Sequence, residues 1–488
     1  RLIEQLKQTV KDWRDRAISV CGRVLLLNTF ALSRLWFASH LFNFSQYAII
    51  HIDNICRNFI WRGHHPKVDF KRVCLPRKAG GLGLIPFAIQ SQCLLVKWFV
   101  RVYGLNAPSW CRLARNLLET HLSSSRIRPH GLITHKFTRL EGHDLPSIWK
   151  RRLIAWTKLD GGLTTRLDDI PIEAILTLPV ETVILRQNDR PIHPTKPVYI
   201  SDLVTWSPDL GHLVRRDNTP THHTRIINLL RNRRWKLNEV IYRKLHSLQA
   251  ECNITTWQDH MPILACLGGR QLSSYKVSLA REYLQASCGT LSSRLLPDID
   301  AKPLWKRIHN PAIMPKHRSF MWLLHNKAIP YGKQISKFTD DNGCCHLCGL
   351  AEETIEHGYF NCEHIRPFWN HVEEALSGSP SNNRLEFASA ASLDFRPRSN
   401  VARSTCFIPL ICAFWAIYRA RIGKWKHNIQ PTTEGLTAWW RQSIVDIIAA
   451  KRRTAVKKAS YRPFHRKWSW IARIVGLELH TPSIQRNE

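Results

Sequence analysis

The chain has 488 residues, room for about three domains. Its 44% hydrophobic and 10% aromatic content is enough to build packed cores, which excludes a disordered chain. Its 71 Lys and Arg stand against 37 Asp and Glu, a formal charge of +34; such an excess repels itself unless something anionic is near, so nucleic acid or an anionic surface is the natural partner.

The longest apolar run, "FIPLICAFWAIY" (Phe407–Tyr418), is too short to span a bilayer and carries Pro409 near its start. It predicts a buried helix and no membrane partner. The chain opens on Arg1 with "RLIEQLKQTVKDW", charged and amphipathic rather than signal-like, and is expected to be a piece of a longer polypeptide. The cysteines are then expected to be reduced thiols or metal ligands.

In that first stretch Leu2, Leu6, Val10 and Trp13 share a helical face. "RVLLLNTFALSRLWFASHLF" follows Gly22 and is apolar nearly all round, the mark of a buried helix. "IIHIDNICRNFIWRG" places Ile52, Ile55, Phe59 and Ile60 at helical spacing. "VDFKRVCLPRKAGGLGL" then alternates polar and apolar residues around a glycine turn and predicts a small β-hairpin near residues 68–85. The turn lacks the Gly-Lys-Ser/Thr ending of a phosphate loop.

Residues 106–300 form a basic connecting region of poorly defined structure, with loop-like stretches "HLSSSRIRPHG" and "RQNDRPIHPTKP". Within it, "RIINLLRNRRWKLNEVIYRKLHSL" is basic and amphipathic. Leu237, Val240, Ile241, Leu245 and Leu248 line one face, and Arg231, Arg233 and Arg234 are either solvated or facing an anion. In residues 301–375, "RSFMWLLHNKAIP" predicts a short helix with Phe320, Leu323 and Leu324 on one side and Pro330 past its end. "KFTDDNG" (Lys337–Gly343) mimics a polymerase aromatic-x-Asp-Asp box. Chain length for a second strand is missing before the next motif, so it reads as a polar turn. Residues 376–488 begin with the linker "SGSPSNNR" and continue as helices. The tail "AAKRRTAVKKASYRPFHRKWSWIARIV" interleaves Lys451, Arg452, Arg453, Lys457, Lys458, Arg466 and Lys467 with Tyr461, Phe464, Trp468 and Trp470. The cations suit phosphates. Trp468 either stacks on an unpaired base or belongs to a helix core.

The densest chemistry is "CCHLCGLAEETIEHGYFNC" (Cys344–Cys362). Cys345, Cys348, His357 and Cys362 give C-x2-C-x8-H-x4-C. The C-x2-C pair lets a tight turn present two thiolates to one ion, and four ligands with no obvious fifth predict a closed, structural Zn2+ site. Cys344 or His364 could replace one of the four. The eight residues between the pairs suffice for a short helical segment ending at His357. Overall the sequence predicts a mainly α, multidomain chain with one small hairpin and a small Cys3His zinc knuckle.

Residues 305–330 and 345–369 together resemble the zinc-binding region at the C-terminus of reverse transcriptases of non-LTR (LINE-type) retrotransposons. Trp305, the Pro315–Lys316 step, Phe320, Trp322, Pro330, the Glu353–His357 segment, the Cys-His cluster and Trp369 carry the likeness. "SVCGRVLLLNTFALSRLWF", "FIWRG" and "VCLPRKAGGLGL" are similar to the thumb region of these enzymes, so residues 1–105 are expected to be thumb-like. The likeness is faint in 106–300, and beyond 375 only "FWAIYRARIGKW" shows it.

The resemblance implies that the family's zinc ligands map onto Cys345, Cys348, His357 and Cys362. It implies binding of template RNA and target DNA beside an upstream polymerase domain of the same element, in an intracellular and, for an active element, nuclear setting. The family's catalytic carboxylates lie upstream of Arg1, so this chain alone is not expected to polymerise. A rival reading is a domesticated zinc-binding adaptor that contacts protein. A nuclease-bearing fragment is disfavoured, because the acids after Cys362 are few and scattered.

Overall fold

The computed structural model describes residues 1–16, 18–42, 44–102, 108–123, 146–158, 162–163, 175–176, 178, 180–186, 198–217, 220–232, 235–247, 265–267, 270–271, 275–286, 289–339, 342–377, 385–395, 405–458 and 460–479. The chain is mainly helical and divides into two units. One combines residues 1–6, 32–53 and 86–287; the other combines 7–31, 54–85 and 288–488.

In the first unit, helices Phe87–Val102, Trp110–Ser123, Ser147–Lys158 and Val277–Ala286 gather on a core that includes Val96, Leu118, Leu153 and Trp156, and Ser33–Leu41 packs on Phe87–Val102 through Trp36 and Phe87. Apolar residues at three- and four-residue spacing place one stripe of each helix inward. A second small core, around Val183, Ile184, Ile200 and Ile241, holds the hairpin Val204–Ser207/His212–Arg215 and the antiparallel pair Ile184–Arg186/Trp235–Leu237. The basic stretch 225–248 is thus not one amphipathic helix. Helix Thr221–Arg231, strand Trp235–Leu237 and helix Glu239–His246 share it, and Ile241 is fully buried while Leu237, Val240 and Leu245 are half-buried. Leu248 lies outside the described residues.

The second unit holds the Cys-His cluster. Its longest helices are Phe407–His427 and Thr433–Lys457, followed by Tyr461–Ile474. The apolar run does form a buried helix: Ile408 through Ala413 are shielded from solvent. No single helix among the described residues is long and apolar enough to cross a membrane. The bent pair Val20–Ala31 with Ser33–Leu41 has the length and composition; Val24, Leu27, Leu32 and Leu35 along it are buried while Leu25, Phe30 and Phe37 are exposed. The one buried helix expected after Gly22 is instead two helices joined by a π-helical turn at Leu27–Ala31, with one side open.

The hairpin expected near 68–85 is absent. Asp69 caps a helical turn, Phe70–Cys74, its carboxylate accepting from the Lys71 N–H at 3.3 Å. Phe70, Val73 and Cys74 are therefore spaced i, i+3, i+4, a helical period that outweighs the short alternation before it. A 3-10 turn, Arg77–Ala79, follows, and the loop closes on itself with Leu82 N–H and Leu84 N–H both donating to Val73 O. Gly80 sits at φ 92°, and a Cβ there would lie 2.6 Å from the Trp305 indole nitrogen. The glycine turn is therefore a packing surface. Trp322 donates its indole N–H to Gly80 O at 2.8 Å, and Trp305 donates to Leu291 O at 2.7 Å.

Candidate metal centre

The knuckle begins at a tight turn. Cys345 N–H donates to Ala351 O and Gly349 N–H to Cys345 O, at 2.8 and 2.7 Å. Gly349 takes φ 71°, a conformation an L side chain resists. This turn presents Cys345 and Cys348 to the same side. The intervening eight residues do not form a helix ending at His357; Cys344 bridges Glu352, and a helical turn opens at Ile355. His357–Asn361 is a π-helical turn, and Cys362 N–H donates to His357 O at 2.8 Å. The i→i+5 closure explains the H-x4-C spacing. It sets His357 and Cys362 side by side, where an α-helical turn would rotate them apart.

One ligand atom from each of Cys345, Cys348, His357 and Cys362 lies within 4.8 Å of the others. Cys345 Sγ and Cys362 Sγ are 3.9 Å apart, and Cys348 Sγ is 3.3 Å from His357 Nε2. Thiolates about 2.3 Å from a tetrahedral ion stand about 3.8 Å from each other, so the donor set suits Zn2+ in both type and spacing. Cys344 and His364 lie outside the group; His364 is exposed, 3.9 Å from Glu363. The hydrogen bond with Cys362 pulls Cys345 down, while that same bond and burial push Cys362 up. A pair that shares a proton in this way is one a dication would hold as two thiolates.

Behind the knuckle lies an ion pair that sequence reading missed. Glu353 is fully buried, and Arg421, from the Phe407–His427 helix, is 6% exposed. They meet through two contacts, Nη2 to Oε2 at 2.6 Å and Nε to Oε1 at 3.2 Å. Glu353 also accepts from the Gly332 N–H at 2.5 Å, and the guanidinium lies 4.5 Å from the Tyr359 ring centre. Arg419 and Arg421 stand two residues apart in that helix, and only the fold separates the buried one, which needs an acid partner, from its neighbour.

The cations named from the sequence are scattered. Arg231 is exposed at the end of its helix, while Arg233 and Arg234 lie outside the described residues, as do Asp340 and Asp341 of the "TDD" box. Arg452, Arg453, Lys457, Lys458, Arg466 and Lys467 are exposed. Lys451 is half-buried and donates to Pro311 O at 2.7 Å. Trp468 is 4% exposed and stacks on Phe464 with ring centres 6.3 Å apart. It belongs to the core and presents no face to a base, because Phe464, Trp468 and Ile471 form the apolar stripe of the Tyr461–Ile474 helix.

Residues 287–369 match a family described as zinc-binding in reverse transcriptase. That segment, which contains all four candidate ligands, is similar to the zinc-binding domain of reverse transcriptases. The chain is also similar to the transposon TX1 uncharacterized 149 kDa protein of Xenopus laevis, with 22% identity over 402 residues that cover 72% of this chain. The match spans only 30% of that relative's length.

Proposed function

We propose that this chain serves a retrotransposon reverse transcriptase as its zinc-stabilised, nucleic-acid-holding portion. The observation that carries the reading is the convergence of Cys345, Cys348, His357 and Cys362 to within 4.8 Å, inside a segment that matches the reverse-transcriptase zinc-binding family. Zinc there is structural. Its four positions are taken by protein, and it ties the 345–349 turn to the 357–362 turn across a loop with little apolar content of its own. Residues 1–105 act as a thumb-like region, 301–375 as the zinc-binding region and 376–488 as a basic helical region, beside a polymerase domain of the same element. Exposed cations such as Arg231, Arg452, Arg453, Arg466 and Lys467 hold template RNA or target DNA by their phosphates, without reading sequence.

The test is metal content by mass spectrometry together with RNA binding by fluorescence anisotropy. Wild type is expected to carry one zinc per chain, and Cys348→Ser and His357→Ala to lose it. Zinc that is absent from wild type, or unchanged in both variants, would sink the ligand set. RNA affinity that ignores salt would favour the protein-contacting adaptor instead.

A further inference from the structure

A second charged feature lies away from the cations considered so far. Between the end of helix Leu2–Lys11 and the loop after helix Gln46–Trp61 is a cleft of about 420 Å3 lined by Lys11, Arg14, Asp15, Arg62 and His64. Its wall is polar, with three permanent cations and an imidazole against one carboxylate. Among the described residues neither Lys11 nor Arg14 is in a salt bridge.

The backbone is shaped around these side chains. Arg62 takes φ 56° and Gly63 φ 76°. For arginine that left-handed conformation carries a cost that most helix ends avoid by placing glycine there. The Arg62 guanidinium donates to Arg16 O at 3.0 Å, which folds it back over the 12–16 turn. Gly63 lies beside Arg14: a Cβ on it would stand 3.0 Å from the Arg14 Nη2. Under this rim is Arg23, 3% exposed. It donates to Phe59 O and Ile60 O at the end of the same helix, while its Nη2 has no partner. Burial, with Arg62 nearby, pulls Arg23 down to about 10. The region therefore concentrates more positive charge than its one lining carboxylate, Asp15, offsets.

We infer that this cleft is an anion site for the phosphodiester backbone of a polynucleotide, with Lys11, Arg14 and Arg62 as the phosphate-binding residues. The inference rests on the nucleic-acid reading above but assigns it to a different surface. RNA and DNA share this chemistry, so single-stranded RNA and duplex DNA of matched length serve as separate probes.

The experiment is fluorescence anisotropy of the full chain across a salt series. It compares wild type, the pair Lys11→Gln/Arg14→Gln, Arg62→Gly, and a control pair, Lys302→Gln/Lys306→Gln, that removes the same charge from the exposed side of helix Ala301–Ile308. Arg62→Gly removes a cation and its hydrogen bond to Arg16 O while relieving the left-handed strain, and a urea midpoint matching wild type is required before its lost binding is counted. Each phosphate contact contributes about 0.7 to the salt slope on single strands and about 0.9 on duplex DNA. The cleft pair is expected to lower the slope by about 1.4 on RNA or about 1.8 on DNA, with affinity near physiological salt falling roughly tenfold. Arg62→Gly is expected to lower the slope by about half as much, and the control pair to leave it near wild type. Whichever probe shows the loss is the source of the phosphates. A wild-type slope in both cleft variants, or an equal loss in the control pair, overturns the cleft while leaving the general reading intact. If wild type binds neither probe in a salt-dependent way, the general reading fails and the cleft with it.

Discussion

Replacing Arg421 with Met would leave Glu353 buried and alone. The two groups are 0% and 6% exposed and meet at 2.6 and 3.2 Å. At an effective dielectric of about 20, opposite charges at the shorter distance attract by roughly 6 kcal/mol, and desolvation of both ions offsets much of that. The loss of one partner is a different matter, because the carboxylate keeps its desolvation cost and retains only the Gly332 N–H. The expected cost of Arg421→Met is about 3–5 kcal/mol. Glu353→Gln/Arg421→Met removes the orphaned charge, and the Gln oxygen can still accept from Gly332. The double variant is therefore expected to lose clearly less than the two single losses added together. Urea unfolding of the four proteins measures this cycle. Zinc affinity by chelator competition should follow, falling about tenfold in Arg421→Met, since Glu353 N–H donates to Gly343 O at the entrance of the knuckle. A single-variant cost under about 1 kcal/mol, or strict additivity, would refute the claim that a buried pair braces this site.

His325 is fully buried between Ser293 Oγ and Ala391 O, at 2.9 and 3.1 Å, and burial pulls it to about 4 from its ordinary 6.5. The unfolded chain therefore takes up a proton first as pH falls, so the stability this histidine contributes is full above 6.5 and drains away toward 4. Urea unfolding should show His325→Gln less stable than wild type at neutral pH but with a flatter pH dependence over that window, the difference reaching about 3 kcal/mol; parallel curves would contradict this. Trp468→Ala should destabilise the protein by about 3–5 kcal/mol and leave RNA affinity unchanged while the chain is folded, whereas weakened binding with unaltered thermal stability would reinstate the stacking role.

The four candidate ligands were legible because thiolate and imidazole spacing is a local property, set by one tight turn at 345–349 and one wide turn at 357–362. Leu2–Lys11 was legible because its apolar residues kept a 3.6 period, and Phe407–His427 because its apolar run is unbroken. The 68–85 segment misled because its polar alternation is short, and Asp69 as a helix cap is a signal that competes with it over the same residues. Trp468 was ambiguous because an interleaved basic and aromatic tail is written alike for a core stripe and for a stacking platform; only the position of the packing partner separates them. The Glu353–Arg421 pair could not be read at all, since its members stand 68 residues apart and pairing across that distance is decided by the fold.

That pair also bears on where the zinc-binding region ends. The family match stops at 369, yet the groups that hold the knuckle continue beyond it. Phe414 packs its ring against Trp369 at 5.1 Å and against Tyr359 at 6.4 Å; Trp415 and Tyr418 pack on Phe320 at 5.7 and 4.8 Å. Gln430 donates to Leu347 O at 3.3 Å, between the first two cysteines. Helix Phe407–His427 is thus the wall against which the Pro315–His325 helix, the π-helical turn and the buried carboxylate all rest. A metal ion can fix the four side chains of a short loop, but it cannot cover Tyr359, Phe360 and Trp369, each at most 2% exposed here. A segment cut at 369 would bare those rings and strand Glu353 without its cation. A metal ion held by the four ligands would close the loop locally, and the 407–427 helix makes that loop part of a core.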